Sequence, residues 1–355
     1  MSTNLVAFIV VLGVLIFFHE LGHFLVARFF GVGVERFSLG FGPRIFGKKV
    51  GITDYRISAI PLGGYVKMVG EEPDTEIDPA DIPISFTHKH VFKRILIVAA
   101  GPFFNLLLAA VIFYGVFQIS GLMILKPVVG AVEADTPAAL AGLAENDRID
   151  AIGGTPIGSW EEMAAAISKS EGNPLVLTVA RGDSLREVVI TPVLKPAETI
   201  FGEPIDRFVI GISAAGDFET QRLNPFQALY ESVHRTYYFT KLTVVSVVKL
   251  IQGTVSTKTL GGPIMIAEMA GQQAKEGAWN LVTFIALLSI NLAILNILPI
   301  PVLDGGHLLF FAIEAVTGRP VNTKAREVAQ QAGIFLLLLL MILVFYNDIT
   351  RIFFR

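Results

Sequence analysis

The feature that most constrains this chain is a set of four apolar stretches: Leu5 to Phe30, Ile95 to Ile119, Leu281 to Leu303 and Gly333 to Phe354. A hydrocarbon core about 30 Å thick is crossed by about 20 helical residues. Inside it every backbone N–H and C=O must find a partner within the protein, which leaves helices as the economical solution. A polytopic α-helical membrane protein with four transmembrane helices is therefore expected. Composition agrees, because only 17% of the 355 residues are charged and 53% are hydrophobic, against about 25% charged in soluble domains. A net charge of −3 supplies no global basic field, so no nucleic-acid partner is expected. The absence of cysteine removes disulfides, thiol nucleophiles and Cys-based zinc ligands together. The first stretch resembles a signal peptide only in length. No Lys or Arg precedes Arg28, and Ala27-Arg28-Phe29-Phe30 offers no small-residue cleavage site, so it reads as a retained helix.

Basic residues collect in two connecting segments. One holds Arg36, Arg44, Lys48, Lys49, Arg56, Lys67, Lys89, Lys93 and Arg94, and the other Arg319, Lys324 and Arg326. The positive-inside rule makes both cytoplasmic and puts both termini and the long loop between helices two and three outside. The chain then divides into helix one (1–30), a cytoplasmic-side, membrane-associated β region (31–94), helix two (95–126), an inserted β domain (127–215), amphipathic surface helices (216–280), helix three (281–304), a cytoplasmic loop (305–332) and helix four (333–355). The β region rests on the Gly-punctuated alternation from Val34 to Gly70, and Glu71 to Pro83 reads as a mobile acidic loop. The inserted domain carries Pro137-Ala138-x-x-Ala141-Gly142-Leu143 and Asp147-x-Ile149, a pattern that resembles a PDZ domain. Ser159-x-x-Glu162 opens its helix as a capping box. Tyr237 to Ile251 is apolar but interrupted by Lys241 and Lys249. Mid-membrane charges cost a few kcal/mol each, so this stretch is expected to lie at the outer surface.

The chemistry is carried by His19-Glu20-Leu21-Gly22-His23, which matches H-E-x-x-H. Residues i and i+4 share one helix face, so both imidazoles reach a single metal, with the Glu beside them to take a proton from the attacking water. Two satisfied helix histidines would be the plain alternative in a soluble protein. Within a spanning helix, ionisable groups are expensive and functional by default. Zinc takes three protein ligands in a catalytic site and keeps one position open. Val26 and Phe29 stand where a longer H-E-x-x-H variant carries Gly and a third His, and Glu35 lies beyond the helix end. That leaves Asp304, the one acidic residue between Glu276 and Glu314. His19 and His23 lie deep in helix one, and Asp304 ends helix three, so the two meet at one depth if a single span separates them. A fifth span at Tyr237–Ile251 would break that match. His307 is not expected to be a ligand.

H-E-x-x-H in a first span, a PDZ-like insert and Asn296-x-x-Pro299-x-Pro301-x-Leu303-Asp304-Gly305 in a later span together resemble the site-2 protease family, especially its bacterial RseP-type members. Gly101-Pro102-x-x-Asn105 and Pro61-Leu62-Gly63-Gly64-Tyr65-Val66 extend the likeness over nearly the whole chain. It departs in one respect: some RseP-type proteins carry two PDZ domains and this chain has one. The resemblance implies an intramembrane zinc metalloprotease of the bacterial inner membrane with one catalytic Zn2+. Its substrates would be single-span membrane proteins, such as anti-sigma factors and remnant signal peptides, often already cut by another protease, with a peptide or substrate tail at the PDZ domain. His19, His23 and Asp304 would hold zinc, and Glu20 would act as general base. Asn296 and Asn291 would bind substrate or an oxyanion, and Gly63-Gly64-Tyr65 would offer a strand edge that keeps the substrate extended. Two other classes compete. One is a non-enzymatic PDZ-bearing adaptor with a structural zinc site, which would need no Glu20; the other is a zinc transporter, which would need acidic or His residues at more than one depth.

Overall fold

The computed structural model describes residues 2–71 and 77–353. The acidic loop expected over 71–83 therefore lies partly outside the described residues. In chain order the elements are α1 (Ser2–Phe29), β1 (Val34–Val50), β2 (Thr53–Met68), α2 (Val91–Ser120), β3 (Leu122–Leu125), β4 (Val129–Val132), α3 (Pro137–Leu140), β5 (Arg148–Ile152), β6 (Thr155–Pro156), α4 (Trp160–Lys169), β7 (Leu175–Arg181), β8 (Ser184–Ile190), β9 (Val193–Glu198), β10 (Pro204–Val209), β11 (Ile212–Ala214), β12 (Phe218–Gln221), α5 (Pro225–Ile251), α6 (Pro263–Glu276), α7 (Ala278–Ile297), α8 (Asp304–Thr317) and α9 (Thr323–Phe353). They form two units, Met1–Val116 with Leu229–Arg355, and Phe117–Ala228.

Among the described residues four helical segments are long and apolar enough to cross a membrane: Thr3–Phe29, Val91–Ser120, Ala278–Ile297 and Thr323–Phe353. Lys241 and Lys249 keep α5 out of that set, as its sequence predicts. In the first unit α1 packs against α6 and α7 through Val11, Leu15, Ala270, Phe284 and Ile285. Gly271 lets α6 come close, since a Cβ there would lie 2.0 Å from Asn4 Oδ1. Asp348 near the end of α9 is buried and accepts from the backbone N–H groups of Gly262, Ile264 and Met265 at 2.9, 3.0 and 3.2 Å. It thereby satisfies donors that the start of α6 leaves open. An acidic side chain in a long apolar helix is thus matched to the positive end of another helix.

The two strands β1 and β2 make four antiparallel segments rather than a simple hairpin. Residues 34–39 pair on one side with 64–68 (Phe37 with Val66, Leu39 with Gly64) and on the other with 54–57 (Phe37 with Tyr55, Leu39 with Ile57). Residues 44–50 close the far side, with Val50 opposite Thr53. Gly51 at φ +60° takes the turn between them, a conformation that costs glycine least. The segment 64–68 is therefore an edge, and among the described residues no further strand pairs with it. Its inner face carries Val66 and Met68 into a core with Ala27, Val34, Phe37, Ile97 and Phe311, which pins this edge against α1, α2 and α8.

Helix three departs from the sequence reading. It ends at Ile297 rather than at Asp304, because Leu298 is extended (φ −59°, ψ 142°) ahead of Pro299, as a residue before proline prefers. Residues 298–303 form a turn, and Asp304 opens α8 inside the segment expected as a loop (305–332). Gly305 and Gly306 make this possible: a Cβ on either would lie 2.1 to 2.4 Å from the carbonyl oxygens of Ile297 and Ile300 respectively.

The second unit holds a four-stranded antiparallel sheet, β6-β5-β7-β8, with three two-stranded ladders, β4 with β11, β9 with β10, and β3 with β12. Its core is Val129, Ile149, Met163, Ile167, Leu177, Val179 and Ile210. The predicted helix cap is present, with Ser159 Oγ accepting from Glu162 N at 3.1 Å and the Glu162 carboxylate accepting from Gly158 N at 2.8 Å. Asp147, with no exposed side-chain surface, receives Arg181 at 2.6 and 2.7 Å, Arg186 at 3.0 Å and Ala144 N at 2.9 Å.

Candidate metal centre

The centre is assembled from α1, α2, the 64–68 edge, α7 and the start of α8. His19 and His23, both buried, sit one turn apart on α1. Their Nε2 atoms are 3.2 Å apart. Asp304 Oδ2 lies 3.1 Å from His19 Nε2 and 3.6 Å from His23 Nε2. Among the described residues these three form the one group of His, Asp and Glu side chains close enough to share an ion.

Two observations test whether the group fits a metal. First, a donor triangle with edges of 3.1 to 3.6 Å is close to the face of a tetrahedron with bonds of about 2.0 Å, whose edge is about 3.3 Å. Second, His23 Nδ1 is 3.0 Å from Ile97 O. Only an N–H can face a carbonyl, so the neutral ring keeps its lone pair on Nε2. Asp304 Oδ2 is buried with no hydrogen-bond partner. Lone pairs so converging repel one another until a cation lies among them. The donor set, two imidazoles and one carboxylate, is of a type that catalytic zinc uses.

Helix two gives the imidazoles their place. A Cβ at Gly101 would lie 2.3 Å from His23 Nε2 and 2.8 Å from His19 Cε1. A Cβ at Gly22 would lie 2.4 Å from Ala100 O. Glycine at both positions lets α1 and α2 approach with the rings between them. Pro102, inside α2, has no N–H to give the preceding turn. The carbonyl this leaves open is that of Val98, next to Ile97, whose own carbonyl meets His23.

Glu20 projects beside the histidines toward the sheet edge. A Cβ at Gly64 would lie 3.1 Å from Glu20 Cγ. Gly63 (φ +119°) packs under the Phe41 ring, which itself stacks on Tyr65 with centroids 6.1 Å apart. The structure thus brings Gly64 to Glu20. Asn296 also reaches the centre, its amide nitrogen 3.4 Å from His19 Nε2. Asn291 points elsewhere, accepting from Thr243 Oγ1 of α5 at 2.8 Å. Glu35 lies in β1 beside Lys67, 3.8 Å away. His307 lines a cavity of about 640 Å³ with Arg36, Tyr65 and Arg326. Sequence reasoning assigned no role to Asn105, which is fully buried with Nδ2 3.3 Å from His19 Nδ1; its place in Gly101-Pro102-x-x-Asn105 was the available signal.

Comparison with known proteins shows the family. The model of "Peptidase family M50" matches residues 7–340. A protein of Agrobacterium fabrum named "Putative zinc metalloprotease" is 36% identical over 362 residues, covering 98% of this chain and 96% of the relative. One of the same name in Mesorhizobium japonicum is 38% identical over 361 residues, covering 98% of each. "Zinc metalloprotease RasP" of Geobacillus kaustophilus is 32% identical over 424 residues, covering 99% of this chain and 98% of the relative. With the match running through every element that builds the centre, the chain belongs to peptidase family M50, the site-2 proteases, and is a zinc metalloendopeptidase.

Proposed function

We propose that this protein is an intramembrane protease that hydrolyses peptide bonds in or near the spans of single-span membrane proteins, with anti-sigma factors and remnant signal peptides as substrate classes. The observation that carries the reading is the union of a zinc-type donor triangle, a carboxylate and a strand edge within one apolar helical frame. His19, His23 and Asp304 would hold the ion. Bound zinc would supply a Lewis acid for the scissile carbonyl and lower the pKa of a water there. Glu20 accepts that water's proton on its carboxylate and returns it to the departing amide nitrogen. The Asn296 amide donates to the oxygen of the carbonyl under attack. A helical substrate cannot be cut until its scissile bond is extended, and pairing with the sheet edge at Gly64 and Tyr65 holds it so beside Glu20. Asn291 serves the site indirectly by tying α5 to α7.

The arrangement in the membrane follows from charge. The basic residues of 31–94 and of 319–326 favour the cytoplasm, which places the metal centre near the cytoplasmic face of a bacterial inner membrane, with the Phe117–Ala228 unit and both termini outside. We read that unit as a PDZ-like domain for a peptide or substrate tail. The test compares wild type with Glu20→Gln on a single-span substrate, measuring cleavage and bound zinc. Full zinc occupancy with cleavage reduced at least 1000-fold is expected of the variant. Cleavage by Glu20→Gln at the wild-type rate would remove Glu20 as the base.

A further inference from the structure

The motif Gly101-Pro102-x-x-Asn105 is not used by the reaction as derived above, yet it lies against both histidines. We propose that Asn105 is a positioning residue for the metal centre: its side-chain amide oxygen accepts Nδ1–H of His19 and thereby keeps the lone pair of that ring on Nε2. The inference rests on the metal centre proposed above.

The reasoning starts from His19. Its Nε2 is the ring atom turned to Asp304 Oδ2, at 3.1 Å, and to His23 Nε2, at 3.2 Å. A nitrogen that ligates carries no proton, so a neutral ring must carry its proton on Nδ1. That N–H is buried and needs an acceptor. Asn105 offers the nearer of two amides, its terminal nitrogen 3.3 Å from Nδ1 against 3.5 Å for Asn296. Its other terminal atom, Oδ1, is buried without a partner. The two ends of an asparagine amide are exchanged by a half-turn, and the hydrogen-bond network decides between them. The half-turn brings the orphan oxygen to Nδ1, where an acceptor is required.

Asn105 is also held in place, and Asn296 is free to serve another role. The Asn105 backbone carbonyl accepts from Ser289 Oγ of α7 at 2.7 Å, and the residue is fully buried. Helix α2 then orients both rings by one logic. Ile97 O takes Nδ1–H of His23, at 3.0 Å, and the Asn105 amide takes Nδ1–H of His19. Gly101 lies between these two partners and leaves room for the rings. Such outer partners fix ligand tautomers and typically carry 10- to 100-fold in metal affinity.

The experiment uses the full-length protein in detergent. Zinc affinity is measured by competition with a chromogenic chelator, and melting is followed on the metal-free form. Asn105→Leu keeps the size and removes the acceptor; Asn105→Asp keeps an acceptor. Expected are a 10- to 100-fold loss of zinc affinity for Asn105→Leu, less than a threefold change for Asn105→Asp, and unchanged metal-free melting temperatures. As a second measurement, independent of how Asn105→Leu folds, the zinc-loaded wild type should show a slowly exchanging His19 ring N–H signal that moves downfield in Asn105→Asp. Wild-type zinc affinity in Asn105→Leu, equal losses in both variants, or no protected His19 ring N–H would overturn the proposal. His19→Ala is the separate control: if it still binds zinc as wild type does, the metal centre itself has been misassigned.

Discussion

Gly64→Ala isolates the strand edge from the metal. The new Cβ would lie 2.7 Å from Ile16 Cγ2, 2.8 Å from Ser38 O and 3.1 Å from Glu20 Cγ. Ordinary contact begins at 3.4 Å, so the first two contacts are short by 0.7 and 0.6 Å (3.4 − 2.7 and 3.4 − 2.8). Ser38 O belongs to the neighbouring backbone segment and cannot swing aside, so the edge itself must move by a comparable distance. It moves relative to Glu20 and to any peptide paired with it. A misplacement near 1 Å costs on the order of 100-fold in rate, equivalent to about 2.7 kcal/mol. The zinc ligands lie on α1 and α8, so metal content should not change. The assay is cleavage of a single-span substrate in micelles, with zinc determined on the same sample. Gly115→Ala, where a Cβ meets nothing within 4 Å, is the neutral control. Cleavage by Gly64→Ala within threefold of wild type, or a parallel loss of zinc, would refute the placement of the edge in catalysis.

Gly101→Ala should show the opposite pattern. Its Cβ would lie 2.3 Å from His23 Nε2, and ligand distances tolerate only about 0.2 Å, so zinc should be lost with activity while both helices still form; stoichiometric zinc in the variant would contradict this. In the second unit, Asp147→Asn leaves Arg181 and Arg186, whose side chains are 42% and 34% exposed, facing a neutral amide and should cost that unit about 1 to 2 kcal/mol, visible as an earlier unfolding transition of the full-length protein. Burial pushes the Asp147 carboxyl up, but the hydrogen bonds from Arg181 and Ala144 and the charges of Arg181 and Arg186 hold it below the ordinary value of 3.8. Its contribution is therefore complete above that value and disappears as pH falls through the lower folded value. Acid melts should show a loss of stability below pH 3.8 in wild type that Asp147→Asn lacks.

What could be read from sequence was local. His19, Glu20 and His23 lie within five consecutive positions, so helical geometry alone sets their relation. Asp304 was reachable by elimination, because its stretch holds so few acids. Its local structure was not legible: Pro299 and Pro301 announce the end of a helix, but nothing in the pattern says that Gly305 and Gly306 tuck under the turn and let another helix begin at once. The uniformly apolar α1 and α7 show no polar stripe, so periodicity could not tell which neighbour each faces. The folding of 34–50 into an inner and an outer segment was hidden as well, since Gly40, Gly42 and Gly47 punctuate the whole run and no single one marks the place where it turns back. Asn105 and His19 pair across 86 positions, and no short-range rule reports such a contact.

The order of the donors along the chain has a consequence for biosynthesis. Two of them are made near the start, on α1, while the third opens α8 at position 304. Until the ribosome has passed Asp304, the histidines have no carboxylate to close the triangle. The donor triangle is thus incomplete throughout most of the chain's own synthesis. A chain arrested or truncated anywhere in that long interval lacks the third donor as well.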